Sequence, residues 1–219
     1  MQEEIRKPTV HSMKRRSSAH DYSRCGYYHI TISVAQKLQQ PFGRMAGRLD
    51  CPDGTADAPH VELSAIGRMV EEELRESIHR YYPMLEVQDY VIMPEHLHFL
   101  LVAHRDVVSQ NGKPTHLGHV IAGFKYGCNK RYWAMTGRIS VATKKGGRAT
   151  KGGDLATESP GTVGGDSMLG DSVAKAKLPP LFDAGYCDVM PIDEAQLATQ
   201  RAYIRSNPRS RLLRTTYRL

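Results

Sequence analysis

Val91-Ile92-Met93-Pro94-Glu95-His96-Leu97-His98-Phe99-Leu100-Leu101 is the stretch from which the rest of this chain can be read outward. Two apolar runs flank Pro94-Glu95, and so short a connection returns the chain antiparallel to itself, giving strands over about 85–93 and 96–103. Side chains alternate across a strand, so His96 and His98 project from one side while Leu97 and Phe99 face the other. The hairpin thus has an apolar face and a face carrying two imidazoles.

Upstream, Pro83 closes a stretch in which Leu63, Ile66, Val70, Leu74, Ile78 and Tyr81 recur every three or four residues, with Glu71, Glu72, Arg75 and Glu76 off that stripe. This predicts an amphipathic helix. Before it, residues 40–60 hold Pro41, Gly43, Gly47, Pro52, Gly54 and Pro59 and read as a loop or irregular hairpin. Tyr27-Tyr28-His29-Ile30-Thr31-Ile32-Ser33 reads as the first strand, with His29 as a sheet or core histidine.

Downstream, Thr115 can cap a second helix running to about Met135, with Leu117, Val120, Ile121, Phe124 and Cys128 as its buried stripe. Residues 181–190 supply a last strand. Asp193 and Gln196 resemble a capping box that opens a final helix, expected to end near Asn207 because Pro208 disfavours helical geometry in the residue before it. The order strand, helix, strand, strand, helix, strand, helix is an α+β plan: a ferredoxin-like antiparallel sheet with two helices on one face, plus a C-terminal helix.

The 219 residues suit one core. That core is expected in 24–136 and 178–214, with a flexible basic arm at 1–23, a Gly-, Ser-, Thr- and Lys-rich linker at 137–177 and a tail at 215–219. Lys and Arg outnumber Asp and Glu by 30 to 23, a formal charge of +7 with a pI near 9.3, which favours a polyanionic partner. The basic residues cluster at Lys14, Arg15 and Arg16, in 144–151, and at Arg205, Arg209, Arg211, Arg214 and Arg218. Cys25, Cys51, Cys128 and Cys187 form no C-x-x-C pair, so neither a zinc knuckle nor a disulfide framework is indicated, and reduced thiols in a cytoplasm fit best. No stretch approaches the roughly 20 apolar residues of a membrane span, and no secretory leader is apparent.

On the final helix Gln196, Gln200, Tyr203 and Asn207 form one polar stripe beside a buried one made by Leu197 and Ile204. Glu95 has two readings, a proton-transfer group or a residue that shapes the turn. Lys125, Asn129 and Lys130 lie off the buried stripe of the second helix and are either phosphate contacts or simply exposed; Arg205 joins them as a candidate DNA contact. Tyr186 and Tyr203 are both tyrosines able to carry nucleophilic chemistry, although an aromatic residue at a strand start, as Tyr186 is, more often packs.

Met93-Pro94-Glu95-His96-Leu97-His98, followed about a hundred residues later by Tyr203-Ile204-Arg205-Ser206-Asn207-Pro208, resembles the paired motifs of the single-tyrosine HUH transposases, above all the REP-associated tyrosine transposases and their insertion-sequence relatives. The resemblance spans roughly 27–214 apart from the linker. It implies that His96 and His98 hold a divalent metal, Mg or Mn, with Asn207 as a third ligand. Tyr203 would be the nucleophile that cuts and rejoins single-stranded DNA near hairpins through a 5′-phosphotyrosine, as a monomer or homodimer. The reaction keeps its bond energy in the covalent link and needs no nucleotide cofactor, and the chain has no G-x-x-x-x-G-K-[ST] loop. Two histidines alone do not dictate the metal. Alternatives are a catalytically silent DNA-binding module domesticated from a transposase, a replication initiator or relaxase of the HUH superfamily, or a structural α+β protein.

Overall fold

The computed structural model describes residues 21–138 and 178–217. Strand β1 (Gly26–Ser33) leads into a small hairpin of β2 (Gly43–Ala46) and β3 (His60–Leu63), then helix α1 (Ala65–Tyr81). Strands β4 (Leu85–Ile92) and β5 (His96–Ala103) follow, then α2 (Leu117–Met135), the short β6 (Cys187–Val189) and α3 (Glu194–Tyr217). The main sheet has the order β4-β5-β1-β6 and is antiparallel throughout. Three helices complete a mixed α/β architecture, and none of the described helices is long and apolar enough to cross a membrane.

The alternation of β5 sorts the molecule into two sides. Leu97, Phe99, Leu101 and Ala103 point into a core shared with Tyr28, Ile30 and Ile32 of β1, Val70, Leu74 and Ile78 of α1, and Val120, Ile121 and Phe124 of α2. Helices α1 and α2 therefore cover this face together and also touch each other, where Arg131 of α2 pairs with Glu72 at 2.6 Å. On the opposite face Leu100 meets Leu197 and Ile204 of α3, with Val91 alongside. The hairpin at Pro94 closes as its sequence predicts, with Met93 N donating to the His96 carbonyl. Its register places Val91 across from His98, and a bulge between Val87 and Asp89 sets Gln88 out of the ladder.

Several expectations change. Residues 40–60 do form an irregular hairpin, and α1 begins one residue after Ser64, whose hydroxyl accepts from Gly67 N as the cap. Helix α2 is capped by His116 rather than Thr115: the imidazole Nδ1 accepts from Gly118 N. The last strand is much shorter than 181–190. Leu181 and Phe182 are almost wholly buried in the core and still pair with the chain just past β1, through an isolated antiparallel bridge from Phe182 to Val34, but the ladder is interrupted between there and Cys187. At the N-terminal side Tyr22 is 3% exposed and packs in the main core.

The largest correction is α3, which does not stop at Asn207 but runs through Pro208 to Tyr217, taking residues 215–217 out of the expected tail. Pro208 has no N–H to offer the Ile204 carbonyl, yet tertiary contacts beyond it hold the helix. Arg209 donates to the carbonyls of Leu49 (2.7 Å) and Cys51 and to Asp53, and Arg211 pairs with Glu95 at 2.8 Å. The arm through residue 20, the linker from 139 to 177, and the basic residues Lys14, Arg15, Arg16, Arg218 and those in 144–151 lie outside the described residues.

Candidate active site

His96 and His98 stand side by side on the face of β5 that α3 covers, with ring centroids 4.8 Å apart. Their strand spacing places them there, and the antiparallel pairing with β1 supplies the neighbours: Thr31 lies directly across from His98, and His29 one diagonal step away. His98 is 5% exposed and His29 4%. Thr31 Oγ1 is 2.9 Å from His98 Nδ1, and His29 Nε2 is 3.2 Å from that same nitrogen.

Helix α3 brings the other half of the site. Gln200 Oε1 accepts from His29 Nδ1 at 2.5 Å. One turn later the Tyr203 ring stands 5.2 Å from the His98 ring, nearly perpendicular to it, and 5.8 Å from that of His29. Tyr203 remains 48% exposed, so its ring abuts the histidines while the residue stays open to solvent. Asn207 is on the same flank of α3 as Gln200 and Tyr203, in the part of the helix between the Gln200–His29 contact and the Arg211–Glu95 pair.

Burial pushes all three imidazoles toward the neutral form. His98 is lowered to about 3, by desolvation first and then by the neighbouring His96 and His29. Desolvation also lowers His96 and His29; nearby Glu95 opposes this for His96, and the Gln200 hydrogen bond opposes it for His29. Neutral imidazole is the metal-binding form. Among the described residues no hydrogen bond takes a ring nitrogen of His96 or the Nε2 of His98. The donor set therefore fits a divalent ion with two adjacent lone pairs, although no group of three or more His, Cys, Asp or Glu among the described residues has a metal-site arrangement. A third protein ligand would have to be of another type, such as an amide oxygen.

Around this centre α3 is fastened by its arginines. Asp89, whose side chain is 12% exposed beside the β4 bulge, receives Arg205 at 2.7 Å and Arg201 at 3.4 Å. Glu95 pairs with Arg211, which ties the turn before His96 to the far end of α3.

The remaining candidates sit elsewhere. Lys125 donates to the carbonyls of Asp183, Ala184 (3.1 Å) and Gly185 (3.0 Å), and Asn129 Oδ1 accepts from Leu181 N at 2.7 Å. Both pin the segment after the expected linker and lie on the α1/α2 side of the sheet. Lys130 is exposed there, lining a cavity of about 540 Å³ with Ile78, Tyr81, Phe124 and Tyr126. Tyr186 is 8% exposed in the main core and takes no part in the histidine cluster.

The sequence reading has His29 as a sheet or core histidine and Gln200 on the polar stripe of the last helix, but it misses Thr31 and the contacts that join all three to His98. A signal existed: His29 and Thr31 alternate with Ile30 and Ile32, so β1 carries a polar pair on the face opposite its apolar one. Which histidine pair that polar face would meet depends on strand order.

The chain matches no protein-family model and no curated protein. Among solved structures it is similar to one described as the structure of the REP-associated tyrosine transposase bound to a REP hairpin. The two are 10% identical over 88% of this chain and 72% of that one, with a TM-score of 0.44.

Proposed function

We propose that the protein is a metal-dependent, single-tyrosine endonuclease of the HUH transposase type that cleaves and rejoins single-stranded DNA. The observation that carries this reading is the approach of Tyr203 to His98, ring to ring at 5.2 Å, with His96 alongside and Tyr203 half open to solvent. Residues more than a hundred positions apart meet there, which supports a tyrosine nucleophile acting beside a metal-held phosphate. The strand order β4-β5-β1-β6 also agrees with the ferredoxin-like plan of that type, with α3 as the added tyrosine helix.

His96 and His98 would hold the divalent ion through their free nitrogens, with the Asn207 amide oxygen as the third ligand. Such an ion supplies charge to a non-bridging phosphate oxygen and orients the scissile bond. A phenol is a weak nucleophile at neutral pH, so polarisation of its target matters. Tyr203 Oη attacks phosphorus, the P–O3′ bond breaks, and the phenolic proton passes through solvent to the departing 3′-oxygen. The products are a 5′-phosphotyrosine and a free 3′-hydroxyl, and reversal rejoins the strand. Arg205, two residues from Tyr203 on α3, has its side chain 70% exposed beside its Asp89 partner, which supports reading it as a contact to backbone phosphate.

The test uses labelled hairpin-bearing single-stranded DNA with Mg²⁺ or Mn²⁺, resolved on a denaturing gel. Wild type should form a covalent adduct; Tyr203→Phe and the double variant His96→Ala/His98→Ala should form none. An adduct that persists in Tyr203→Phe removes Tyr203 as nucleophile. DNA binding by wild type without any adduct would instead indicate a silent DNA-binding module.

A further inference from the structure

We infer that Gln200 and His29 are positioning residues that hold His98 in the tautomer with its Nε2 lone pair bare, so that the tyrosine helix itself sets the metal competence of the site. This rests on the metal-dependent reading above, but the tautomer can be measured without metal or DNA.

The inference follows the hydrogens along a short chain of contacts. An amide oxygen can only accept, so the 2.5 Å contact between Gln200 Oε1 and His29 Nδ1 places a hydrogen on that ring nitrogen. His29 is almost fully buried with no carboxylate among its hydrogen-bond partners, an environment that holds the imidazole neutral. A neutral imidazole with a hydrogen on Nδ1 has a lone pair on Nε2. That lone pair faces His98 Nδ1 at 3.2 Å, so the hydrogen between the two rings belongs to His98 Nδ1. Thr31 Oγ1, 2.9 Å from the same nitrogen, can accept from it as well. His98 is then also neutral, with Nδ1 protonated and Nε2 bare.

In solution a free histidine favours the opposite tautomer, with the hydrogen on Nε2, where it would block a metal. The protein therefore has to impose the useful form, and outer contacts of this kind commonly change metal affinity by about 10–100-fold. What is particular here is where the contact originates. Gln200 lies three residues before Tyr203 on one face of α3, so the docking that brings the nucleophile to the site also orients its metal ligand. A displaced α3 would lose both together.

The experiment uses metal-free, ¹⁵N-histidine-labelled full-length protein and long-range ¹H–¹⁵N correlation at pH 7.5 to read the His98 tautomer. Mn²⁺ titration by calorimetry follows for wild type and Gln200→Leu, each first checked for a native melting transition. Wild-type His98 should be protonated at Nδ1. Gln200→Leu should shift the signal toward the Nε2-protonated form and weaken Mn²⁺ binding about tenfold or more. Nε2 protonation of His98 in the wild type overturns the inference, as does a Gln200→Leu protein with unchanged tautomer and affinity. If the wild type shows the expected tautomer but binds no Mn²⁺, the metal-dependent reading fails while the hydrogen-bond chain stands.

Discussion

The two faces of the sheet are built on different principles. Toward α1 and α2, β1, β4 and β5 bury a continuous apolar layer in which Ile30, Ile32, Leu97, Phe99 and Leu101 are at most 1% exposed. Toward α3 the buried apolar contact shrinks to Leu100, Leu197 and Ile204, with Val91 beside them, and the rest of the surface is histidine, glutamine and ion pairs. The first face is held by area removed from water, the second by a small apolar patch and polar clamps. Chemistry needs polar groups, and polar groups are poor fillers of a core. The polar face is therefore the less stable one, and α3 should open before the rest of the molecule.

The sharpest way to break this comparison is to damage each face in turn. Phe99→Ala, in the main core, should destabilise the whole protein by about 3–5 kcal/mol in urea unfolding. Ile204→Ala should fall at the lower end of roughly 2–5 kcal/mol, because a small patch at a helix–sheet contact can relax around the gap. Hydrogen exchange distinguishes the two: Ile204→Ala should speed exchange in 194–217 while leaving α1 and α2 protected. Equal acceleration everywhere would mean that the faces form one cooperative unit.

A pH titration sharpens the comparison next. His98 has a folded pKa of about 3 against an ordinary 6.5, so below pH 6.5 the unfolded chain takes up a proton that the folded one refuses. The stabilisation is complete above about 6.5 and is lost as the pH falls toward 3, at up to about 1.4 kcal/mol per pH unit for this group. His29 and His96 shift in the same direction. Metal-free protein unfolded in urea at pH 7, 6 and 5 should show falling stability, with α3 exchanging first; a flat profile contradicts the buried neutral histidines.

The smallest effect is expected at the clamp. Asp89→Ala should cost about 1–2 kcal/mol, discounted because the Arg205 guanidinium is largely in water. Its signature is local: α3 loosens and covalent-adduct formation slows while the main core melts nearly as before. A drop in global stability as large as that of Phe99→Ala would show that the polar face matters as much as the apolar one.

Legibility in the sequence followed the same division. The β4–β5 hairpin, α1 and α2 are visible because their apolar residues repeat with the period of the element and the burying face is continuous. His96, His98 and Tyr203 are visible because they lie in short local patterns. The end of α3 is not visible, since local backbone preference at Asn207-Pro208 argues for a stop while Arg209 and Arg211 find partners 158 and 116 residues back along the chain, at Cys51 and Glu95. Lys125 and Asn129 look like free polar positions on a helix, and only the folded chain shows them holding the backbone of 181–185.

The sequence by itself determined the alternation that sends His96 and His98 to one side of a strand and the stripe that sets Tyr203 beside Ile204 on a helix. Those are properties of 2.0- and 3.6-residue periods and need no partner. Tertiary structure alone decided that β1 pairs with β5, which delivers His29 and Thr31 to His98, and that α3 lies across that pair so Gln200 and Tyr203 reach it. The physical reason is that periodicity assigns a side chain to a face, whereas which faces meet depends on the burial and pairing of the whole chain.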